Sequence, residues 1–495
     1  MLRICLKPLL ETDLEVLTLS EPRVENKMGT MPVGKLLISM AVPMMISMLV
    51  QALYNIVDSM FVAKLSQDAL TAVSLAFSMQ NLMFAIAIGT GVGVNALLSK
   101  SLGEKNFELA NKAAGNSIFL SLCMYAIYVI IGIFFVDVYF DMQTNDVVIA
   151  QLGKDYMHTI LIVSLGMLGQ ICMERLLTST GKTFYSMITQ ITGAVINMIM
   201  DPIMIFGYFG FPALGVKGAA IATVFGQFVA CLLGLYFNLK KNTELTFSFK
   251  YIKPDLDVIK RIYAVGIPSI IMQSIGSIMV FGLNKILIAF STTAVAVFGV
   301  YFKLQSFIFM PVFGINNGMV PIIAYNYGAR NRRRIVDTTR FAVVTAVGIM
   351  TIGLIIFQVA PELLLSIFAS GNPEEDAALI KIGVPALRTI AFHFPIAGIC
   401  IMLGSVFQAL GKPMYSLINS IARQLIVLLP AAYFLSLTGN LNMVWFAFIV
   451  AEGASLLFSL IFFKRVLKLI DFKDVEIPGS IEISEKSEDS ETVTE

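Results

Sequence analysis

Asp58 lies inside an otherwise apolar run, PMMISMLVQALYNIVDSMFV, covering residues 43–62. At about 100° per residue on a helix, Gln51, Asn55 and Asp58 fall within about 60° of arc, so three polar groups share one stripe beside Tyr54. An ionised carboxylate near the middle of a bilayer costs roughly 2.5 to 3.5 kcal/mol on insertion scales, so Asp58 is expected to be used. A second polar set occurs in INMIMDPIMIFGYFG, residues 196–210. There Asn197 and Asp201 are four apart and share a helix face. Pro202 cannot donate to Met198, which leaves a carbonyl free for a ligand or water. The rival reading of Asp201 puts it at a helix break near the surface, satisfied by water.

Thr223 and Gln227, again four apart, add oxygens on the next run, although such residues also commonly bond between helices. If Asp58, Asn197, Asp201 and Thr223 converge, they form a small oxygen-rich pocket suited to a proton or Na⁺. Two neighbouring carboxylates share one proton or bind one cation, and so titrate as a pair. Gln51, Asn55, Gln227, Lys303 and Glu452 are secondary polar candidates. Lys303 either faces a cleft or snorkels to the interface. Glu452 is expected to pair with Arg423, and Glu174 with Arg175 as an exposed ion pair near the surface. The two histidines, His158 and His393, are too few and too far apart in sequence for a metal site, so no metal is expected beyond Na⁺ at the acidic pocket.

The elements that must hold these residues are set by composition. The chain has 495 residues, of which 57% are hydrophobic and 14% charged, against about 25% charge in ordinary soluble proteins. Runs long enough to span about 30 Å as helix occur near 36–62, 70–98, 114–140, 156–180, 183–209, 216–239, 256–290, 293–325, 338–369, 376–410, 413–437 and 441–463. This pattern predicts an all-α polytopic membrane protein with about twelve transmembrane helices. Lysine and arginine concentrate after every second run, for example Lys100, Lys105, Lys182, Lys240, Arg330 and Arg332. The positive-inside rule then places both termini in the cytoplasm. Residues 1–31 read as a cytoplasmic extension without a signal-peptide core, and 467–495 as a disordered acidic tail. Five scattered cysteines without a CxxC predict no disulfides.

Sliding the chain by 225 positions aligns Pro43 with Pro268, Gly89 with Gly314, Gly93 with Gly318, Gly103 with Gly328 and Asn106 with Asn331. A second match, near an offset of 230, sets Gly181 and Lys182 against Gly411 and Lys412. The chain therefore reads as an N-lobe over 32–239, a lysine-rich linker over 240–255 and a C-lobe over 256–466. An even number of crossings per lobe makes the repeats parallel. Two related lobes around a cleft suit alternating access better than a channel or an enzyme. The counterpart positions in the second half lack this chemistry, since Asp58 maps onto Leu283, so ion coupling is expected in the first lobe. The run GTGVGVNALLSKSLG has neither the order nor the preceding strand of a nucleotide loop, and close helix packing explains its glycines. The 27 methionines are in the main core filler, yet they would suit a pliable cavity.

The motifs AVP (41–43), VDSMFVAKL from residue 57, GTGVGVNALLSKSLGEKN, TGKTFYSMI, NMIMDPIMIFG, GVKGAAIAT and RQLIVLLPAAY together resemble the multidrug and toxic compound extrusion (MATE) transporters, bacterial efflux subgroup. The resemblance spans roughly residues 32–465. It implies two pseudo-symmetric six-helix lobes forming a V, and export of amphipathic, mostly cationic compounds in exchange for H⁺ or Na⁺. It also implies a cation site at Asp58, Asn197, Asp201 and Thr223, and bending of the first helix at Pro43. Some members use acids on the seventh and tenth helices, which this sequence lacks in those cores. The reading is a plasma-membrane secondary antiporter, not an enzyme, with small organic molecules and the lipid bilayer as partners. No cofactor and no nucleic acid are expected, and the chain is read as a monomer. The alternative is a flippase for lipids or lipid-linked oligosaccharides.

Overall fold

The computed structural model describes residues 25–368 and 372–471. Most of the expected N-terminal extension (1–24) and acidic tail (472–495) lies outside the described residues, as does Cys5. Every regular element among the described residues is helical. The long ones are α1 (Val33–Ala63), α2 (Gln67–Gly103), α3 (Phe107–Phe134), α4 (Val147–Ile162), α5 (Leu165–Ser179), α6 (Thr183–Phe206) and α7 (Gly215–Lys241) in the first half. The second half holds α8 (Leu256–Leu287), α9 (Thr292–Gly328), α10 (Arg332–Val359), α11 (Pro373–Ala391), α12 (Phe394–Ala409), α13 (Pro413–Ser436) and α14 (Leu441–Leu469). Ten of these are long and apolar enough to cross a membrane singly. The pairs α4 with α5 and α11 with α12 bend by 47° and 49° and pass the same test together, giving up to twelve crossings. The protein is a multi-pass membrane protein. The runs read from the sequence as single spans at 156–180 and 376–410 are these bent pairs, and the first of them begins earlier, at Val147.

The chain starts its helices with the same devices in each half. The Ala69 N–H donates to Ser66 Oγ at 3.0 Å to open α2, and the Ala294 N–H donates to Ser291 Oγ at 3.0 Å to open α9. Asn106 accepts from the Leu109 N–H at 3.0 Å, and Asn331 from the Arg334 N–H at 3.1 Å. Each side-chain oxygen satisfies a backbone donor that the first helical turn leaves unpaired. Just before those two asparagines, Lys105 and Arg330 adopt left-handed φ values of 57° and 53°, an uncommon conformation for residues with a Cβ. All three pairs keep the 225-residue spacing of the sequence repeat.

The halves meet by exchanging partners. α1 packs on α9, and α2 packs on α8. A Cβ on Gly93 would collide with the Ile262 carbonyl of α8, and one on Gly318 would collide with the Ala41 backbone of α1. At the C-terminal ends of α2 and α9, Gly103 abuts the Tyr325 carbonyl and Gly328 the Lys100 carbonyl. Only glycine allows backbones to approach this closely.

A short turn ahead of α1 ties the same end together. Asn26 Nδ2 donates to the Thr180 carbonyl at 3.2 Å and to Glu244 Oε1 at 2.8 Å. The Met28 carbonyl accepts from Asn326 Nδ2 and from Arg334, both at 3.0 Å. Met28 itself is fully buried. Burial, reinforced by the nearby Lys182 charge, lowers the Lys27 ammonium below its ordinary value.

Candidate functional site: a pair of carboxylates among helices α1, α6 and α7

Ser186, Thr189, Gly193, Asn197 and Asp201 recur at three- and four-residue spacing and are all buried, so α6 carries a small and polar stripe rather than an apolar one. Gly193 and Gly226 lie against each other, which lets α6 and α7 approach closely. That approach brings Thr223 beside Asn197, whose Nδ2 donates to Thr223 Oγ1 at 3.1 Å. α1 also packs on α6. It delivers Asp58 beside Asp201, so that the two carboxyl groups are neighbours. The Tyr54 hydroxyl lies beside Thr223, and Tyr156 lies near both acids with its hydroxyl accepting from Gln80 Nε2 at 3.3 Å.

Asp201 is 0% exposed and Asn197 is 3% exposed. Four oxygens here are buried without a hydrogen-bond partner: Asp58 Oδ1, Asn197 Oδ1, and both Asp201 Oδ1 and Oδ2. Asn197 spends its amide nitrogen on Thr223, so its oxygen is what remains. Buried carboxylates left unpaired in this way are expensive unless a proton or a cation joins them. The donor set is all oxygen with two acids, which suits a proton or a hard monovalent cation. No group of three or more His, Cys, Asp or Glu side chains able to hold a metal occurs among the described residues.

The structure thus brings Asp58, Asn197, Asp201 and Thr223 together, and adds Tyr54 and Tyr156. It does not gather the rest of the α1 stripe, because Gln51 and Asn55 are exposed. Gln227, half-buried, has its backbone against Gly166 of α5, one turn beyond Thr223. Pro43 is buried within α1, which continues through it. Lacking an N–H, Pro43 leaves the Ser39 carbonyl without its helical donor, and Thr183 Oγ1 points at that carbonyl at 3.5 Å. α6 likewise continues through Pro202.

Lys303 and Glu452 lie in the other half. Lys303 is exposed and stacks over the Phe368 ring at 5.7 Å. Glu452 is buried and meets Arg423 at 3.2 Å. Glu174 and Arg175 do not form the expected exposed ion pair. Glu174 is 7% exposed and accepts from Gln170 at 2.9 Å and Gln190 at 2.7 Å, while Arg175 reaches across to Asn317 of α9 at 3.2 Å. The reason is packing: the Arg175 stem lies on Gly91 of α2, so α5 is covered where the sequence alone suggested a surface. Gln170 and Glu174 are spaced by four, and that was the available sign of a buried polar network.

Comparison with known proteins agrees with this architecture. The family profile described as MatE matches residues 43–203 and again 268–434, so the two matches begin 225 residues apart. The multidrug export protein MepA of Staphylococcus haemolyticus is 26% identical over 84% of this chain and 90% of its own length. A protein described as an FAD transporter from Shewanella oneidensis is 26% identical over 81% of this chain and 88% of its own length. Among solved structures, an outward-facing multidrug resistance MATE family transporter superposes with a TM-score of 0.85 at 24% identity, covering 91% of this chain and 99% of that one. That likeness is one of fold, and it coincides with the family match over both halves: the chain belongs to the MatE family, the multidrug and toxic compound extrusion transporters.

Proposed function

We propose that this protein is a secondary active efflux antiporter. It exports amphipathic, mostly cationic compounds in exchange for H⁺ or Na⁺, and coupling resides at Asp58, Asn197, Asp201 and Thr223. The observation that carries this reading is the group of four unpartnered oxygens, two of them on the fully buried Asp201. Such a cluster is unstable as two bare carboxylates, so its occupancy by an ion and the packing of α1 on α6 are linked. Ion entry draws Asp58 and Asp201 together, and ion loss drives them apart. α1 runs from this site to its contact with α9, so that movement reaches the seam between the halves. Pro43 lies within that contact, between Ala41 and Met45 where Gly318 and Gly314 of α9 abut α1, and serves as the bend. Each elementary charge moved inward supplies about 2.3 kcal/mol per 100 mV, enough to support export against a gradient. The name of the relative MepA supports the drug-export side of this reading.

In this reading the halves act as an N-lobe (32–239) and a C-lobe (256–466) joined by the 240–255 linker, with both termini cytoplasmic in the plasma membrane. One chain is the transport unit. The decisive experiment is dye efflux from proteoliposomes under an imposed Na⁺ gradient, then under a pH gradient. Efflux driven by one or both, and abolished in Asp58→Asn, is expected; wild-type efflux in a correctly inserted Asp58→Asn protein sinks the proposal. A second reading, export of an anionic nucleotide cofactor, is favoured by the relative described as an FAD transporter. Loading the same vesicles with FAD, with an anionic lipid-linked sugar and with a cationic dye separates the three substrate classes.

A further inference from the structure

Four polar side chains from four helical elements meet inside the second half. Tyr301 of α9 bonds through its hydroxyl to His393 Nε2 at 3.0 Å. His393 sits at the 49° bend between α11 and α12, in the two-residue break between Ala391 and Phe394. Its other ring nitrogen, Nδ1, has no hydrogen-bond partner and faces Glu452 Oε2 of α14 at 3.8 Å. Arg423 of α13 holds the same Oε2 at 3.2 Å, and Glu452 Oε1 is unpartnered. His393 and Glu452 are 5% and 3% exposed, whereas the Arg423 side chain is 28% exposed. Arg423 lies in a π-helical turn, Ala422–Leu428, a distortion that often marks functional positions. Phe394 and Phe448 wall the imidazole at ring distances of 5.1 and 5.8 Å. Cys400 of α12, beside Glu452, completes the titratable and charged groups that face the cluster.

A static Arg–Glu bridge would satisfy both carboxylate oxygens and would need no histidine. Here one oxygen and one ring nitrogen are idle, and they belong to neighbouring groups. With His393 neutral, Arg423 and Glu452 cancel, so the cluster can accept one positive charge without a second carboxylate being present. Na⁺ would need several oxygens, and the one carboxylate is already held by a guanidinium. A proton needs only the idle nitrogen.

We propose that His393 and Glu452 form a second, proton-selective site in this protein, independent of Asp58 and Asp201. In the neutral tautomer that keeps its ring proton on Nε2, donated to the Tyr301 oxygen, the incoming proton from water binds the Nδ1 lone pair and draws Nδ1–H toward Glu452 Oε2. The imidazolium so formed competes with Arg423 for that oxygen. Arg423, the member with access to space, is then the group released to move. Because the imidazole stands at the bend, its charge state biases the angle between α11 and α12, and with it the packing of α12 on α14.

The test exploits the chain's histidine content, which is two residues. His158→Gln leaves His393 as the sole histidine, provided no polyhistidine tag is used. His158 lies far from the cluster, against Asp137. The full-length variant, carrying ring-labelled histidine in lipid nanodiscs, is followed by nitrogen NMR between about pH 5 and pH 9. The Nδ1 resonance is expected to pass from the neutral to the imidazolium position within that range, at the same midpoint in sodium and in choline. The midpoint should be unchanged in Asp58→Asn/Asp201→Asn and displaced by at least about one pH unit in Glu452→Gln. A ring that stays in one state throughout overturns the proposal on the His158→Gln protein alone, whether or not the Glu452 variant folds. A midpoint that moves with sodium, or that disappears with the Asp58/Asp201 pair, overturns the claimed selectivity or independence. Failure of gradient-driven efflux, by contrast, leaves this signal intact, so the two proposals fall separately.

Discussion

The clusters around Asp201 and Glu452 both bury polar side chains and handle charge in opposite ways. The first pairs acid with acid and, among the described residues, shows no basic side chain beside them, so on the proposed reading an external ion compensates it. The second has a guanidinium 3.2 Å from its single carboxylate and supplies its own compensation. On the proposed readings, built-in compensation leaves the second cluster open only to a small change, the gain or loss of one proton. Repetition of backbone therefore need not repeat chemistry: the position matching Asp58 is Leu283, fully buried in the apolar core.

The contrast can be broken in four ways. Asp58→Asn or Asp201→Asn has the largest expected effect on transport. The gradient that one charge sustains at 100 mV is about fiftyfold; it should collapse toward unity in vesicle accumulation assays, while the protein stays folded because an uncompensated charge has been removed. Next, Arg423→Gln strands Glu452 as a buried lone charge and should lower stability by about 3 to 5 kcal/mol. Thermal unfolding should recover most of that loss in Arg423→Gln/Glu452→Gln, and a harmless single variant would mean that Glu452 is already neutral. Third, if the Asp58/Asp201 pair takes Na⁺, sodium at ten times its dissociation constant should stabilise the protein by about 1.4 kcal/mol. That gain should vanish in Asp58→Asn and survive in Glu452→Gln; the reverse pattern would exchange the roles of the two clusters. The smallest effect belongs to Thr223→Val, which removes one hydrogen bond worth about 0.5 to 1.5 kcal/mol. It should raise the ion concentration for half-maximal efflux by about two- to tenfold, and no change at all would place Thr223 outside the ion's reach.

Asp58, Asn197 and Asp201 were legible in the sequence because each interrupts a run that is otherwise apolar, and a polar group in lipid demands a reason. The spans were legible for the same reason of length and hydropathy. Tyr54 was not singled out as a partner, since a tyrosine beside lipid raises no alarm. Glu174 was misplaced because an acid next to an arginine at the end of a run looks like surface, and only the covering of α5 by α2 and α9 corrects that. The Tyr301, His393, Arg423 and Glu452 cluster was visible only as one expected pair. Its members come from four separate runs, so no spacing rule joins them. One sign of the bend was present, however: Pro395 follows His393 by two residues, and a proline there starts a helix rather than continuing one.

The crossed glycine contacts between the halves carry a mechanical consequence. Gly93 with α8 and Gly318 with α1 are backbone seats with almost no side chain to deform, and Gly103 and Gly328 repeat the arrangement at the helix ends. A seam of that kind has little compliance: it is either seated or parted, and partial separation loses dispersion contacts without gaining new ones. The molecule should therefore behave as a detent with two stable settings and few intermediates. Its rate of switching would then be set by the height of one shared barrier at the seam, which on the proposed reading an ion at Asp58 and Asp201 raises or lowers without ever touching a glycine.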